Sequence, residues 1–164
     1  MTFVLHPALC CPIDAAPLMM DELSLACEHG HRFDVARQGY VNLLGPKDKR
    51  SKDPGDSKGM VSARAAFLNA DFYQPLADAC LNITLAYCST VADGRITLTD
   101  AGCGDGYYLH HIQENLPTDL RNRVSLVGFD ISKWAVQQCA RRCDGTWFVG
   151  SNRHIPIADG SVDL

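Results

Sequence analysis

The sequence predicts an α/β fold in which parallel strands alternate with helices, preceded by a small lobe that carries cysteine and histidine. Two observations predict the sheet: an apolar run that ends in a glycine-rich turn near residue 100, and two later apolar runs that each follow a helical pattern. A third observation, the grouping of Cys11, Cys27 and His31 near the N-terminus, predicts the lobe. The expected division is 1–44 for the lobe, 45–60 for a basic loop or linker, and 61–164 for the sheet domain.

The central element is the predicted strand Ile96–Thr99 together with the turn that follows it. The strand ends in Asp100, and glycines then occupy every second position, at Gly102, Gly104 and Gly106. Glycine lets the backbone adopt positive φ and approach a ligand closely. Tyr107 stands where the dinucleotide fingerprint has its third glycine, so the pattern favours a nucleotide-like cofactor without a pyrophosphate. An ordinary strand-to-helix turn is the alternative interpretation.

The remaining elements of the sheet domain follow from periodicity and breakers. Helical spacing over 61–89, with a break near 69–71, predicts two helices before the central strand. Asp130 ends the second strand about 20 residues beyond the glycine turn, where an acid can accept both hydroxyls of a ribose. The other predicted elements are a helix at Tyr107–Leu116 stopped by Pro117, strands at Val124–Phe129 and Thr146–Val149, a helix capped by Ser132 with Val136, Cys139, Ala140 and Cys143 as its apolar stripe, and the opening of a fourth strand at Val162–Leu164.

The first 40 residues contain two ligand pairs with the close spacing that tetrahedral zinc sites use. Cys27 and His31 are separated by three residues, and Cys11 and Asp14 by two. We therefore expect zinc at Cys11, Asp14, Cys27 and His31. Three further residues keep alternatives open, since Cys10 or His6 could replace a ligand and His29 competes with His31. Scattered residues in a metal-free β-rich lobe are the other interpretation.

Composition limits the functional classes. The chain has 164 residues, 46% of them apolar and 21% charged, which is typical of one soluble domain or a domain with a small appendage. A net charge of −4 offers no global attraction to nucleic acid, so contact with RNA requires a local basic patch. The N-terminus lacks a basic leader and a long apolar run, so we expect a cytoplasmic protein. The eight cysteines are expected to divide between metal ligation and burial.

The stretch 45–60 is the candidate basic patch. Prolines and glycines in this segment are expected to prevent a regular helix. A solvated linker and a loop that contacts RNA phosphates both remain open. Its cationic residues are Lys47, Lys49, Arg50, Lys52 and Lys58.

Together these features resemble the 23S ribosomal RNA (guanine-N1)-methyltransferases. The motifs that carry the resemblance are RQGYVNLL, KRSKDPGDS and AFLNADFYQPL between residues 37 and 76, followed by the D-x-G-x-G-x-G turn and Asp130. The resemblance covers essentially the whole chain. It implies a Rossmann-like class I methyltransferase domain, of which this chain contains the first half only, behind an N-terminal zinc lobe. It also implies S-adenosylmethionine (SAM) and Zn²⁺ as cofactors and 23S ribosomal RNA as partner.

The resemblance assigns site residues position by position. The zinc ligands of the family match Cys11, Cys27 and His31, whereas Asp14 stands where the family commonly has cysteine. Ser151 and Asn152 become candidates near the adenine. His154 matches a polar position by the cofactor, or is simply exposed. The full expected cofactor set is Asp100, Gly102, Gly104, Gly106, Tyr107, Asp130, Ser151, Asn152 and His154.

The implied reaction is methyl transfer to N1 of a guanine in a hairpin loop of 23S RNA. No catalytic base is assigned, because in this fold the acceptor pocket is built mainly from segments that would follow Leu164. The chain as given is therefore expected to be truncated at its C-terminus and inactive on RNA. A small-molecule methyltransferase and a fragment that retains only RNA or cofactor binding are the alternatives. A homodimer is a further possibility that the sequence leaves open.

Overall fold

A computed structural model describes residues 3–45, 48 and 54–164. Within these ranges the chain forms seven strands and five helices. The strands are β1 Met19–Asp21, β2 Ser24–Ala26, β3 Arg32–Ala36, β4 Tyr40–Asn42, β5 Ile96–Ala101, β6 Val124–Asp130 and β7 Thr146–Val149. The helices are α1 Lys58–Leu68, α2 Gln74–Thr90, α3 Tyr107–Asn115, α4 Thr118–Arg121 and α5 Lys133–Arg142.

The C-terminal half is the predicted parallel α/β unit. Strand β6 pairs in parallel with β5 on one side, where Asp100 lies opposite Gly128, and with β7 on the other. Helix α5 packs on β6 and β7 and begins at Ser132, whose hydroxyl accepts a hydrogen bond from the N–H of Ala135. The four residues of its predicted apolar stripe are all buried. The α/β fold class and these elements are confirmed.

Helix α1 begins earlier than the sequence predicts. The side chain of Ser57 accepts a hydrogen bond from the N–H of Met60, so the helix begins at Lys58 rather than near residue 61. Gly59 lies in the first turn, where backbone N–H groups have no partner within the helix and a weak helix former costs little. The expectation that 45–60 contains no regular helix is therefore wrong for its last three residues.

The N-terminal lobe is not a separate body. Strands β1 to β4 form an antiparallel meander, and β4 then pairs in parallel with β7, so that one sheet has the order β1-β2-β3-β4-β7-β6-β5. One hydrophobic cluster joins Leu9, Leu25 and Val41 of the lobe to Phe129 and Phe148 of the parallel strands. Those two phenylalanines stack with ring centroids 4.8 Å apart. The lobe and the sheet domain therefore share one hydrophobic core.

The last residues of the chain lie along β5. The N–H of Thr99 donates to the carbonyl of Leu164 over 2.8 Å, and the N–H of Asp163 donates to the carbonyl of Thr97 over 3.0 Å. These bonds place Val162–Leu164 where the sequence predicts the opening of a fourth strand, although no regular strand forms there. In the described part of the chain, no helix has the length and apolar character needed to cross a membrane.

Candidate functional site

A cavity of about 490 Å³ opens at the carboxyl ends of β5 and β6. This size falls in the range of small-ligand sites, and the carboxyl edge of a parallel sheet is where such ligands bind. The cavity joins the glycine turn to Asp130 and to the α1–α2 region. Its lining residues are Gly55, Asp56, Val61, Arg64, Phe67, Leu68, Tyr73, Asp100, Gly102, Cys103, Gly104, Asp105, Tyr107, Tyr108, Asp130, Ile131 and Ala135.

The three motif glycines have two different roles. Gly102 and Gly104 line the cavity at φ +104° and +55°, and a Cβ on either would meet no atom within 4 Å. Gly106 also has positive φ, at +79°, but a Cβ there would lie 2.6 Å from Sγ of Cys139. The first two therefore leave space at the ligand side of the turn, whereas Gly106 permits close packing of the turn on α5. Gly106 is not among the lining residues.

Asp130 holds the turn with both carboxylate oxygens. Its Oδ2 accepts a hydrogen bond from the N–H of Gly104 over 3.1 Å, and its Oδ1 accepts one from the N–H of Ser132 over 2.8 Å. A carboxylate oxygen has two lone pairs, so each retains one acceptor position for a ligand in the cavity. The predicted binding of two ribose hydroxyls is compatible with this geometry.

Asp100 is a partly buried carboxyl group that lines the same cavity. Burial, and secondarily the negative charge of Asp130, raises the pKa of Asp100 above its usual value. A cation bound beside Asp100 would relieve both effects. The two carboxyl groups therefore favour a positively charged ligand group near the end of β5.

The wall opposite the sheet comes from residues that the sequence analysis did not single out. Ser132 donates its hydroxyl proton to the carbonyl of Asp56 over 2.6 Å, and a Cβ on Gly55 would lie 2.8 Å from Cγ2 of Ile131. The segment at 54–57 is thereby held against the start of α5. The only sequence indication was that DPGDS and AFLNADFYQPL, which supply this wall, belong to the motifs that carry the family resemblance.

A buried ion pair also went unnoticed in the sequence. Arg142 at the end of α5 approaches Asp105 of the glycine turn, with Nη2 and Oδ2 3.0 Å apart. The same Nη2 donates to Oδ1 of Asn69 over 3.1 Å. Asp105 is only 2% exposed, so its charge requires this partner. Arg142 therefore connects the glycine turn, α5 and the turn between α1 and α2.

Besides Gly106, three of the expected cofactor residues do not line this cavity. Ser151 and His154 form an antiparallel bridge in a tight turn after β7, and Nδ1 of His154 lies 2.9 Å from Oδ2 of Asp48. Asn152 is exposed and lines a different cavity that includes Thr99. The adenine role of Ser151, Asn152 and His154 therefore stays a prediction, because none of the three lines the cavity. Tyr107 does line the cavity.

The N-terminal donors come together as the sequence predicts. One donor atom from each of Cys11, Asp14, Cys27 and His31 lies within 4.8 Å of all the others. Nδ1 of His31 is 3.5 Å from Sγ of Cys11 and 3.4 Å from Sγ of Cys27, and Oδ2 of Asp14 is 3.6 Å from Sγ of Cys27. Tetrahedral zinc with ordinary bond lengths separates such donors by about 3.3–3.8 Å. These three separations therefore fit zinc. The distance from Oδ2 of Asp14 to Nδ1 of His31 is shorter than this range, at 2.9 Å.

The alternative ligands lie outside this group of four. Nδ1 of His6 accepts a hydrogen bond from the N–H of Ala8, and Nε2 of His6 lies 3.2 Å from the hydroxyl oxygen of Thr97. The thiol of Cys10 donates to the carbonyl of Ala8. His29 contacts the cluster only through Asp14, with Nδ1 2.9 Å from Oδ2. His29 is thus placed to orient the carboxylate rather than to replace His31.

Metal binding at the four-donor cluster is coupled to the protonation of its ligands. Burial raises the pKa of Cys11 to about 11, and the hydrogen bond from Cys11 lowers the pKa of the Asp14 carboxyl. A thiol that is protonated in the free cluster must lose its proton to ligate a metal. Metal binding at this cluster is therefore expected to release protons.

The predicted basic loop falls mainly outside the described residues. Lys47, Lys49, Arg50 and Lys52 lie in the part of the chain that the structure does not describe. Lys58 is the first residue of α1, and its Nζ lies 6.0 Å from the ring centroid of Trp134. This distance is at the limit of a cation–π contact.

Comparisons with known proteins agree with both halves of the chain. The family model described as "RlmA, N-terminal" (Zn_ribbon_RlmA) matches residues 9–52. The chain is 40% identical over 131 residues to a 23S rRNA (guanine(748)-N(1))-methyltransferase of Streptomyces fradiae, a match covering 80% of this chain and 43% of the relative. It is 33% identical over 180 residues to a putative 23S rRNA (guanine-N(1)-)-methyltransferase of Micromonospora griseorubida, covering 96% of this chain and 56% of the relative.

The chain spans about half the length of these curated relatives. Among solved structures, the plantazolicin methyltransferase BpumL in complex with SAH is 21% identical and covers 64% of this chain and 34% of its own. Its TM-score of 0.36 is too low to support an argument about fold or function. The sequence matches, which extend from the four-donor lobe through the glycine turn, therefore relate this chain to 23S rRNA (guanine-N1)-methyltransferases over about half of their length.

Proposed function

We propose that the chain binds SAM in the glycine-turn cavity and supplies the cofactor-binding half of an enzyme that methylates N1 of a guanine in a 23S rRNA hairpin loop. The observation that carries this proposal is the cavity itself, where Asp100, the open side of Gly102 and Gly104, and Asp130 form one wall. The names of the matched relatives supply the reaction class and the RNA.

Each residue of that wall has a chemical role in the proposal. The carboxylate of Asp100 is the partner for the cationic amino group of the methionine end. The free lone pairs of Asp130 accept the ribose hydroxyls while its other lone pairs keep the turn in place. Gly102 and Gly104 let the backbone come close because neither has a neighbour where a Cβ would stand. The Arg142–Asp105 pair fixes the turn from behind.

When bound, SAM supplies a methyl group made electrophilic by its sulfonium. The contribution of this half of the enzyme is alignment, which can supply about 7–11 kcal/mol of a barrier when both reactants are held. The proton on guanine N1 must also be removed, and no described residue is assigned as the base. Acceptor positioning would come from the part of the relatives that this chain does not span.

We infer that Cys11, Asp14, Cys27 and His31 hold a structural zinc. Four protein donors complete a tetrahedral shell and leave no open position for water or substrate, which is the pattern of structural rather than catalytic zinc. The ion would tie the turn at 11–14 to the turn at 27–31. Two elements that share few backbone hydrogen bonds would then be fixed relative to each other and to the sheet.

The division into a lobe at 1–44, a basic segment at 45–60 and a cofactor domain at 61–164 is retained as a functional proposal. The basic segment would contact RNA phosphates, which position RNA without specifying its sequence. A ribosomal RNA substrate also agrees with the expected cytoplasmic location. We propose further that these 164 residues do not methylate RNA by themselves, because acceptor positioning would need the part of the relatives that they do not span.

The test is methyl incorporation from labelled SAM into unmodified 23S rRNA. Two proteins are compared: the 164-residue chain, and a chimera in which it is joined to the remaining C-terminal portion of the Streptomyces fradiae relative. Incorporation at a guanine N1 by the chimera alone is the expected result. Equal incorporation by both would place the acceptor site within the present chain. Methylation of small acceptors but never of RNA would contradict the proposed RNA substrate.

Sedimentation of the same preparations tests whether the protein forms a homodimer.

A further inference from the structure

Three aromatic rings form an exposed cluster at the junction of α1 and α2. Phe67 and Phe72 are stacked, with centroids 5.4 Å apart and planes inclined by 21°, and Tyr73 meets Phe67 edge-on at 5.6 Å. Their side chains are nevertheless 49%, 71% and 42% exposed, respectively. Exposed apolar patches of this kind mark sites where a protein binds a ligand or another macromolecule. We call these three residues the aromatic cluster.

The aromatic cluster runs from the cavity to the outer surface. Phe67 and Tyr73 line the glycine-turn cavity together with Asp100 and Asp130, whereas Phe72 is not among its lining residues. A cofactor contained in the cavity would contact the first two rings and leave Phe72 uncovered. The cluster therefore extends from the cavity to the surrounding surface, where Phe72 is exposed.

The turn that presents these rings is held in a fixed and costly conformation. Asp71 has φ of +64°, a region that side chains other than glycine rarely adopt. The carbonyl of Asp71 accepts a hydrogen bond from the N–H of Gln74, and Asn69 is fixed by Arg142. Strained backbone that the surroundings hold in place is concentrated at functional sites. The rings are thereby arranged before any partner arrives.

Cationic side chains lie on α1, which carries Phe67, and on the neighbouring helix α5. Arg64 of α1 lines the cavity, with a side chain 60% exposed and paired to Asp56. Lys58 of α1 and Lys133 of α5 lie 6.0 and 4.8 Å from the ring of Trp134, and α1 packs against α5. Exposed rings beside cations are the composition that proteins use to bind single-stranded nucleic acid, where each base stacks on a ring and the phosphates meet the charges.

We propose that the aromatic cluster is a stacking platform for an unpaired RNA base at the mouth of the cofactor cavity, with Phe72 as the ring that the base covers. This inference rests on the proposed function, because it supplies the surface that would hold RNA beside the methyl donor. Single-stranded loops expose bases for such stacking, whereas a duplex keeps them paired and stacked. The platform therefore favours a loop over a helix.

The test uses a short single-stranded RNA that carries one 2-aminopurine, a base whose fluorescence is quenched by stacking. Binding to the 164-residue chain is compared for the unmodified protein and for Phe72→Ala, Phe72→Leu and Phe72→Trp. Leu23→Ala is the matched control, because Leu23 is 82% exposed but lies in the β1–β2 turn of the lobe. SAM affinity of every variant is measured separately by calorimetry.

We expect Phe72→Ala and Phe72→Leu to weaken RNA binding about 5- to 150-fold, the range for one stacked base, and to abolish the quenching. Phe72→Trp should restore both, and Leu23→Ala should change neither. Binding of a fully paired RNA and of SAM should be the same in all variants. Unchanged RNA affinity in Phe72→Ala, or no binding of RNA by the unmodified chain, would overturn the platform. A loss confined to SAM affinity would show that the cluster covers the cofactor instead.

Failure of the proposed function gives a different pattern. If the unmodified chain binds the RNA through Phe72 but binds no SAM, the stacking surface stands and the cofactor site does not. If it binds SAM and Phe72 has no effect on RNA, the cofactor site stands and the platform is rejected. The two conclusions are therefore separable within one set of proteins.

Discussion

The four-donor cluster and the cofactor cavity differ in how the chain builds them. The cluster takes all its atoms from side chains in two short segments, 11–14 and 27–31. The cavity takes its wall from four segments, at 55–56, 61–73, 100–108 and 130–135, and part of that wall is backbone. With a bound metal the cluster would be a local cross-link between turns, whereas the cavity exists only after the sheet and its helices have assembled.

This difference predicts how each site responds to substitution. Removing one donor from the cluster removes both the metal and the cross-link, so binding and stability fall together. The cavity separates the two properties, since Gly106 packs against α5 whereas Gly102 faces open space. Substitutions around the cavity can therefore change stability or ligand affinity one at a time.

The largest effect is expected for Cys27→Ser, which removes a donor of the cluster. Structural zinc is worth about 10–16 kcal/mol in small peptides, and part of that is offset here because the lobe shares its core with the sheet. We expect the variant to lose zinc and about 5 kcal/mol or more of unfolding free energy relative to the zinc-loaded chain. Metal analysis and denaturant unfolding give both quantities. Cys10→Ser is the control, because the neighbouring Cys10 lies outside the cluster. A fully folded lobe without metal would contradict the assignment.

A pair of glycine variants tests whether packing and binding separate at the turn. Gly106→Ala places a Cβ 2.6 Å from Sγ of Cys139 at φ +79°. The φ value costs about 1–2 kcal/mol and the overpacking about 1–3 kcal/mol of unfolding free energy. Gly102→Ala carries only the φ cost, but its methyl group enters the cavity and should weaken SAM binding. Thermal unfolding and calorimetry compare the two. Equal losses of stability would contradict the assigned roles.

Asp130→Asn should weaken SAM binding by about 1.5–3 kcal/mol, the range for hydrogen bonds to a charged group. The substitution also affects the bonds to the N–H groups of Gly104 and Ser132, so unfolding is measured beside affinity. Asp93→Asn, in the exposed turn before β5, is the control. Unchanged SAM affinity in a folded Asp130→Asn variant would remove Asp130 from the cofactor site.

The smallest expected effect concerns Asp100 and pH. Its folded pKa is raised by burial and by Asp130, so its contribution to stability is greatest below the unfolded pKa and is lost as pH rises through the folded pKa. Asp100→Asn should therefore raise the unfolding free energy at neutral pH by about 0.5–2 kcal/mol, with no gain in strong acid. The same variant should bind SAM more weakly. Denaturant unfolding at several pH values, alongside calorimetry, measures both. Lower stability at neutral pH would contradict the sign.

The contrast also explains what the sequence could predict. Cys11, Asp14, Cys27 and His31 could be identified because metal ligation needs particular residue types at close spacing. The glycine turn and Asp130 could be identified because a strand end followed by a tight turn leaves a regular pattern. Neither argument depends on how distant segments pack. Strand and helix positions in the sheet domain followed from periodicity for the same reason.

The parts that could not be predicted depend on tertiary packing. Nothing in the order of residues indicates that β4 would pair with β7 and merge the lobe into the sheet. Arg142 lies 37 positions beyond Asp105, and only the fold makes them an ion pair. The loop after β7 turns back on itself through the Ser151–His154 bridge, which no propensity rule anticipates. The sequence also gave no indication that Phe67, Phe72 and Tyr73 would pack together, because their segment resembles an ordinary helix junction.

The most direct measurement is a calorimetric titration of the 164-residue chain with SAM, loaded with zinc and free of RNA. The cavity predicts saturable binding of one SAM per chain, displaced by S-adenosylhomocysteine and weakened by Asp130→Asn but not by Asp93→Asn. The affinity should also fall as pH is lowered through the pKa of Asp100, because protonation removes the partner of the cationic amino group. Absence of binding by a folded, zinc-loaded chain, or binding that Asp130→Asn leaves unchanged, would contradict the assignment of this cavity to the cofactor.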